Sequence, residues 1–156
     1  MSWLQKAIGA LLRPRVIGKA RGTNFDELAQ RLGASRDELL PRIMAAKDTP
    51  GNREALNHFV GIERWSQSRL RVAQGEPFEL DSYRGYRLPD DAALVELQEA
   101  FAATREATIA LARDFAATGV DPQTKIKHND LGDLSVLEWF AYVDDHHLRE
   151  RLRIRT

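Results

Sequence analysis

Residues 135–148 have the sequence Ser-Val-Leu-Glu-Trp-Phe-Ala-Tyr-Val-Asp-Asp-His-His-Leu, which joins a helix start to a helical apolar pattern. Ser135 and Glu138 form a capping-box pattern, in which each side chain satisfies a backbone N–H of the first turn. Basic residues at 149–155 would complement the dipole at the helix end. The stretch therefore predicts a helix with one inward face. That face carries Trp139, Phe140, Val143, His147 and Leu148.

Three earlier segments have the same helical periodicity. The first, about 24–47, is expected to be broken, because Gly33 precedes a second capping-box pattern at 35–38 and Pro41 fits poorly inside a helix. We therefore expect a short helix followed by a second one from about Arg36.

The other two segments have clear boundaries. One begins after residues 48–51 and ends near Gln74, where Gly75 provides a stop. The other opens at 88–91 with a proline and two aspartates, and ends at Gly119.

No stretch of the sequence suggests a strand that alternates apolar and polar residues. Polar connections lie at 76–87, expected to be a long crossover loop, and at 121–132. These features predict an all-α fold in a single domain over residues 1–156, with 1–20 as an N-terminal extension. A helical bundle with one long crossover is one known topology of this kind.

Composition excludes several classes of function. The chain has 23 basic and 23 acidic residues, so no whole-surface charge favours nucleic acid. It has no cysteine, which excludes disulfides, thiolate metal sites and a cysteine nucleophile. It also lacks a glycine-rich phosphate loop and a serine nucleophile elbow. A transition metal would have to be held by His, Asp or Glu.

The apolar stretch near the start of the chain is too short to span a bilayer and has the wrong charge placement for a secretory leader. We therefore expect a cytoplasmic protein without a membrane partner. Residues 3–12 either pack on the rest of the chain or form an interfacial anchor.

Two of the four histidines, His58 and His147, fall on the apolar faces of different predicted helices. Side chains from facing helices of a bundle converge near its axis, where metal sites are built. The alternative is a pair of buried neutral histidines with hydrogen-bond partners. Asp144, three residues before His147, could complete a site of two histidines and one carboxylate. The predicted metal ligands are thus His58, His147 and Asp144.

Other residues near these positions have competing interpretations. His146 is not expected to take the place of a ligand at 143, because neighbouring helical residues point about 100° apart. It would instead share a solvated face with Asp144 and Asp145. Glu63 could act as a base or support a ligand, or it could pair with an arginine on its own helix. No catalytic residue can be named from these patterns.

The ordered set of His58, the segment 128–135 leading into 137–139, and the ending 143–149 resembles the DinB/YfiT-like family of bacterial damage-inducible proteins. The resemblance extends over about residues 20–153. It implies a four-helix bundle, often a homodimer, with nickel or zinc held by one histidine of the second helix and an HxxxH pair of the last. It also implies a thiol-dependent transferase or isomerase that uses a low-molecular-weight thiol.

Carried onto this sequence, the family ligands would be His58, position 143 and His147, and the chain departs from the pattern at Val143. Three interpretations follow. The chain could be a metal-dependent thiol transferase or hydrolase-type enzyme, or a metal-free binding or stress-response protein. It could also be a homodimeric scaffold that acts through the Trp3 segment or the 83–87 loop.

Overall fold

In the computed structural model, which describes residues 2–156, five α-helices and one short hairpin form the regular structure. The helices are α1 (Trp3–Ala20), α2 (Phe25–Met44), α3 (Pro50–Arg71), α4 (Leu94–Thr118) and α5 (Val136–Glu150). The antiparallel strands are β1 (Lys125–His128) and β2 (Gly132–Ser135). One-turn 3₁₀ helices cover Val72–Gln74, Tyr83–Tyr86 and Arg151–Arg153. The prediction of an essentially all-helical chain is confirmed.

Side-chain caps explain where most helices begin. Asn24 and Thr49 each accept a backbone N–H from the first turn of α2 and α3. Ser135 and Glu138 form the predicted capping box of α5. Because these caps satisfy N–H groups that have no partner within the helix, the sequence locates these starts well.

The core lies among α2, α3, α4 and α5, where α2 and α3 each pack against both α4 and α5. α1 lies across α5. Trp139 joins this core to the hairpin, because its indole N–H donates to the carbonyl of Ile126 at 3.0 Å. Since α1 packs against α5 in addition to α2 and α3, most residues of α5 are buried.

The predicted break in α2 is wrong. The helix continues through Gly33 and Pro41, and Ser35 is an interior residue rather than a cap. Its hydroxyl donates to Asp144 and accepts from Arg105. Tertiary packing of the apolar face of α2 outweighs the local signals for a break, and Pro41 lies on the exposed side.

The predicted start of α4 is also displaced, because the helix begins at Leu94 rather than at 88–91. The side chain of Asn57 on α3 holds the backbone of Leu88, accepting its N–H at 2.9 Å and donating to its carbonyl at 3.0 Å. Leu88 is therefore fixed as part of the connection, and five more residues, 89–93, follow it before the helix begins.

The hairpin corrects the expectation that no strand is present. Residues Ile126 and His128 of β1 point inward while Lys125 and Lys127 point outward. Gly132 opens β2 with φ of +74°, a conformation that favours glycine. The alternation of polar and apolar residues in Lys-Ile-Lys-His, with Gly132 after it, is the sequence feature that indicates a strand. Four residues are too few to distinguish this alternation from chance.

Among residues 2–156, no helix is long and apolar enough to cross a membrane.

Candidate metal centre

A cavity of about 600 Å³ opens between α1, α3, α5 and the loops at 82–84 and 128–131. Its apolar wall includes Ile8 and Leu12 of α1 and Ile62 of α3. Its polar wall carries His58 of α3 together with His146 and Glu150 of α5. The cavity is thus a concave site with convergent polar groups, as binding sites commonly are.

The ligand-type atoms of His58, His146 and Glu150 all lie within 4.8 Å of one another. The two Nε2 atoms are 3.3 Å apart. A carboxylate oxygen of Glu150 lies 3.3 Å from Nε2 of His146, and its other oxygen lies 3.7 Å from Nε2 of His58. Two ligands of one zinc-like ion, each bonded at about 2 Å, are separated by roughly 3–4 Å. The three side chains therefore have the spacing of a metal triad.

Helix geometry brings this triad together. His146 and Glu150 are four residues apart and share one face of α5. His58 approaches from α3, and the ring of Tyr83 packs edge-on against it with centroids 4.9 Å apart. Arg153 donates to Glu150 at 2.6 Å, which holds the carboxylate at the cavity edge.

Burial keeps both imidazoles neutral at pH 7. Loss of solvent lowers the pKa of His58 from 6.5 to about 4, against an opposing effect of Glu150. Burial, reinforced by His147 and His58, holds the pKa of His146 well below its usual value. A neutral imidazole is the form that binds a metal ion.

Hydrogen bonding indicates which nitrogen of His146 is free. Nε2 of His147 faces two acceptors, the carbonyl of Phe59 and a carboxylate oxygen of Glu63, each at 3.1 Å, and so carries a hydrogen. With that hydrogen as the only one on the ring nitrogens, Nδ1 of His147 accepts from Nδ1 of His146, 3.2 Å away. This assignment, inferred from the network, leaves a lone pair on Nε2 of His146 directed at His58 and Glu150.

Two of the ligands predicted from the sequence, His147 and Asp144, lie outside the cavity. His147 is fully buried, stacked on Phe59 and bonded to Glu63. Asp144 accepts from Ser35. Burial raises the pKa of Asp144. Of the three predicted ligands, only His58 lines the cavity.

The expectation of a solvated face at Asp144, Asp145 and His146 is wrong for the last two. Asp145 and His146 are both buried, Asp145 beneath cations of α1 and His146 against the rings of Phe59 and Tyr142. Arg15 and Lys19 of α1 both pair with Asp145, at 2.8 and 2.7 Å. Val143 is fully buried in the apolar core.

His128 and Tyr142 form the inner end of the cavity lining. Nδ1 of His128 accepts the backbone N–H groups of Asp130 and Leu131, each at 3.1 Å, so the hydrogen of the neutral ring is on Nε2. That Nε2 is buried and has no hydrogen-bond partner among the described residues. Neither side chain was predicted to be a site residue, although His128 begins the segment 128–135 on which the family resemblance rests.

Close packing of α3 at Gly61 positions Tyr83 against His58. A Cβ at Gly61 would lie 2.9 Å from the carbonyl oxygen of Tyr83 and 2.7 Å from Cγ of Arg87. We expect Gly61→Ala to displace the 83–86 turn and to destabilise the protein by about 1–3 kcal/mol, measured by urea unfolding. Gly33→Ala is the matched control, because its Cβ would meet nothing within 4 Å. The control should stabilise by up to about 1 kcal/mol, and equal effects of the two changes would contradict this packing role.

No family model, curated protein or solved structure matches this chain.

Proposed function

We propose that this chain is a divalent-metal-dependent enzyme of the thiol transferase or hydrolase type, with His58, His146 and Glu150 as metal ligands. The convergence of these three side chains on one cavity carries the proposal. Two imidazoles and a carboxylate form a donor set that nickel, zinc and iron accept. The ligand set differs from the one predicted from the sequence, with His146 and Glu150 in place of His147 and Asp144.

Electrostatics supports a cation at this position. The lone pair on Nε2 of His146 faces the carboxylate of Glu150 at 3.3 Å, and two groups that only accept hydrogen bonds repel each other. An ion between them would turn this repulsion into attraction. When bound, it would supply positive charge that lowers the pKa of a water or thiol.

His147 acts as a positioning residue in this proposal. Its Nδ1 accepts the Nδ1 hydrogen of His146, which fixes the tautomer that leaves Nε2 of His146 free. Glu63 in turn holds Nε2 of His147. Such outer partners orient metal-bound histidines in many proteins. His147, on the inward face of α5, thereby orients His146, the proposed metal ligand on the neighbouring face.

The resemblance to DinB/YfiT-like proteins extends the proposal. It places α2–α5 in a four-helix bundle of that type, assembled as a homodimer, with a low-molecular-weight thiol as co-substrate and a role in stress or damage responses. The pairwise packing of α2 and α3 against α4 and α5 supports the bundle. In this proposal the family's HxxxH pair is shifted by three residues from positions 143 and 147 to His146 and Glu150, with a glutamate in place of the second histidine.

Metal content tests the ligand assignment. We expect protein purified after growth with added nickel or zinc to hold about one ion per chain, measured by mass spectrometry. Ion at a hundredfold excess over its Kd should add about 2.7 kcal/mol of stability, a rise in Tm of about 5–10 °C for this size that EDTA reverses. His146→Ala and Glu150→Gln should lose the ion.

Asp144→Asn is the matched control. It alters a carboxylate on the same helix that lies outside the cavity, so metal content should be unchanged. Loss of the ion in Asp144→Asn with retention in Glu150→Gln would support the ligands predicted from the sequence instead. With metal bound, a small thiol such as cysteine should raise the Tm further, and it should have no effect on the metal-free chain.

A metal-free binding protein is the second candidate, and one contact favours it. Arg153 already pairs with Glu150 at 2.6 Å, so the carboxylate has a cationic partner without an ion. In that case EDTA and added metal would both leave the Tm unchanged.

A further inference from the structure

One face of α1 is apolar and exposed to solvent. Trp3, Leu4 and Leu11 are 81%, 61% and 78% exposed, and Ile8, which also lines the edge of the cavity, is 47% exposed. Their spacing places them on one side of the helix. We call these four residues the outer face of α1. Contiguous exposed apolar surface of this kind marks an interaction site.

The opposite side fixes α1 to the protein. Val16 and Ala20 are buried, and a Cβ at Gly9 would lie 2.5 Å from the carbonyl oxygen of Asp130, so the helix lies directly on the hairpin loop. Arg15 and Lys19 pair with the buried Asp145. Because the inner side is held in this way, the outer face cannot turn inward.

Every charged side chain within residues 1–25 is a cation, and Asp145 of α5 pairs with two of them. Residues 1–25 contain no Asp or Glu but five cations, so they carry +5 while the whole chain is neutral. The cations are Lys6, Arg13, Arg15, Lys19 and Arg21. Lys6 and Arg21 are exposed and form no ion pair among the described residues. Arg15 and Lys19 keep half and about a third of their side chains exposed.

We propose that the outer face of α1 docks on an anionic lipid surface. An exposed apolar helix face bordered by Lys and Arg, with a tryptophan among its apolar residues, has the chemistry of an interfacial helix. The apolar side chains would enter the boundary between headgroups and acyl chains, and Lys6 and Arg21 would lie among the phosphates.

A second copy of this chain fits the surface less well. A twofold interface brings the same patch of both subunits together. Pairing two α1 helices through Trp3 and Leu11 would place cation beside cation, with no carboxylate on the helix to compensate. An anionic lipid surface supplies the opposite charge along the full length of the helix.

Vesicle binding by the full chain tests the proposal. We expect co-sedimentation with vesicles of equal parts phosphatidylglycerol and phosphatidylcholine, and binding at least tenfold weaker to phosphatidylcholine alone. Trp65 and Trp139 are buried, so a blue shift of tryptophan fluorescence on binding reports Trp3. Lys6→Gln and Arg21→Gln should each weaken binding about fivefold, since a cation near such a surface contributes about 1 kcal/mol.

The apolar contribution has a matched control. The double variant Leu4→Gln/Leu11→Gln should abolish binding, whereas Leu80→Gln/Leu152→Gln, which alters leucines 72% and 68% exposed elsewhere, should bind as the parent does. Circular dichroism checks that both pairs fold. Absence of vesicle binding, or equal loss in both pairs, would overturn the proposal. So would a dimer without lipid that only the α1 pair dissociates, since this would identify a second copy as the partner.

Discussion

Replacing Arg105 with methionine is expected to lower the free energy of unfolding by about 3–5 kcal/mol, because a buried carboxylate would lose its main cationic partner. Arg105 and Glu63 are both fully buried, with Nε of Arg105 2.8 Å from one oxygen of Glu63 and Nη2 3.2 Å from the other. Burial alone would raise the pKa of Glu63, but Arg105 and His147 lower it to about 2. Urea unfolding at pH 7 measures the loss.

Arg36→Met is the matched control for that change. Arg36 also contacts two carboxylates, those of Asp37 and Glu106, but both acids are exposed. Exposed pairs contribute about 0–1 kcal/mol, so the control should cost little. Adding Glu63→Leu to the Arg105 variant should recover part of the loss by removing the unpaired charge. Equal losses for Arg105→Met and Arg36→Met would contradict the role of the buried pair.

Acid is expected to destabilise the protein through His128 before most carboxylates titrate. Burial, with a smaller effect of Arg69, lowers the pKa of His128 to about 3, while the unfolded chain has a value near 6.5. Between these values the unfolded state binds more protons, so the contribution is fully present above pH 6.5 and is lost as the pH falls towards 3. At pH 4.5 the loss amounts to roughly 2.7 kcal/mol, or two pH units at 1.36 kcal/mol each.

The effect of His128 can be measured by comparing the slope of unfolding free energy against pH in the parent protein and in a His128 variant. His128→Asn keeps a side-chain acceptor for the N–H groups of the turn but does not titrate, so the slope between pH 4.5 and 6.5 should fall by about one proton. Tyr142→Phe, on the same cavity wall, removes no group that ionises in this range, because burial raises the pKa of Tyr142 above its usual 10. An unchanged slope in His128→Asn would show that the ring does not stay neutral in the folded state.

Helices with a strong period and a side-chain cap could be predicted from the sequence, whereas long-range contacts could not. The start of α5 at Ser135 depends on residues next to it in the chain. The fate of Ser35 depends on Arg105 and Asp144, which lie far away in sequence. A local pattern therefore predicted a helix start where the folded chain uses the hydroxyl in a buried network.

The choice between His146 and His147 shows the same limit. The spacing of apolar residues predicts a single buried face for a helix, and on α5 that face contains Val143 and His147. A second face of α5 is also buried: α1 covers Asp145, and Phe59 of α3 packs against His146, which borders the cavity. The orientation of His58 was accessible from its own helix. The residue that His58 meets on α5 depends on how α3 packs against α5, which no spacing within α5 encodes.

Because α5 has two buried faces, the protein should tolerate a change in the length of this helix less well than a change in its side chains. Deleting or inserting one residue between the capping box and His146 would rotate the rest of the helix by about 100°, exchanging core and cavity positions. Distant homologues could thus change most side chains here and still keep the count of eleven residues from Ser135 to His146 and four more to Glu150. That fixed spacing, searched together with an inward histidine two helices earlier, provides a way to recognise relatives whose overall sequence similarity has been lost.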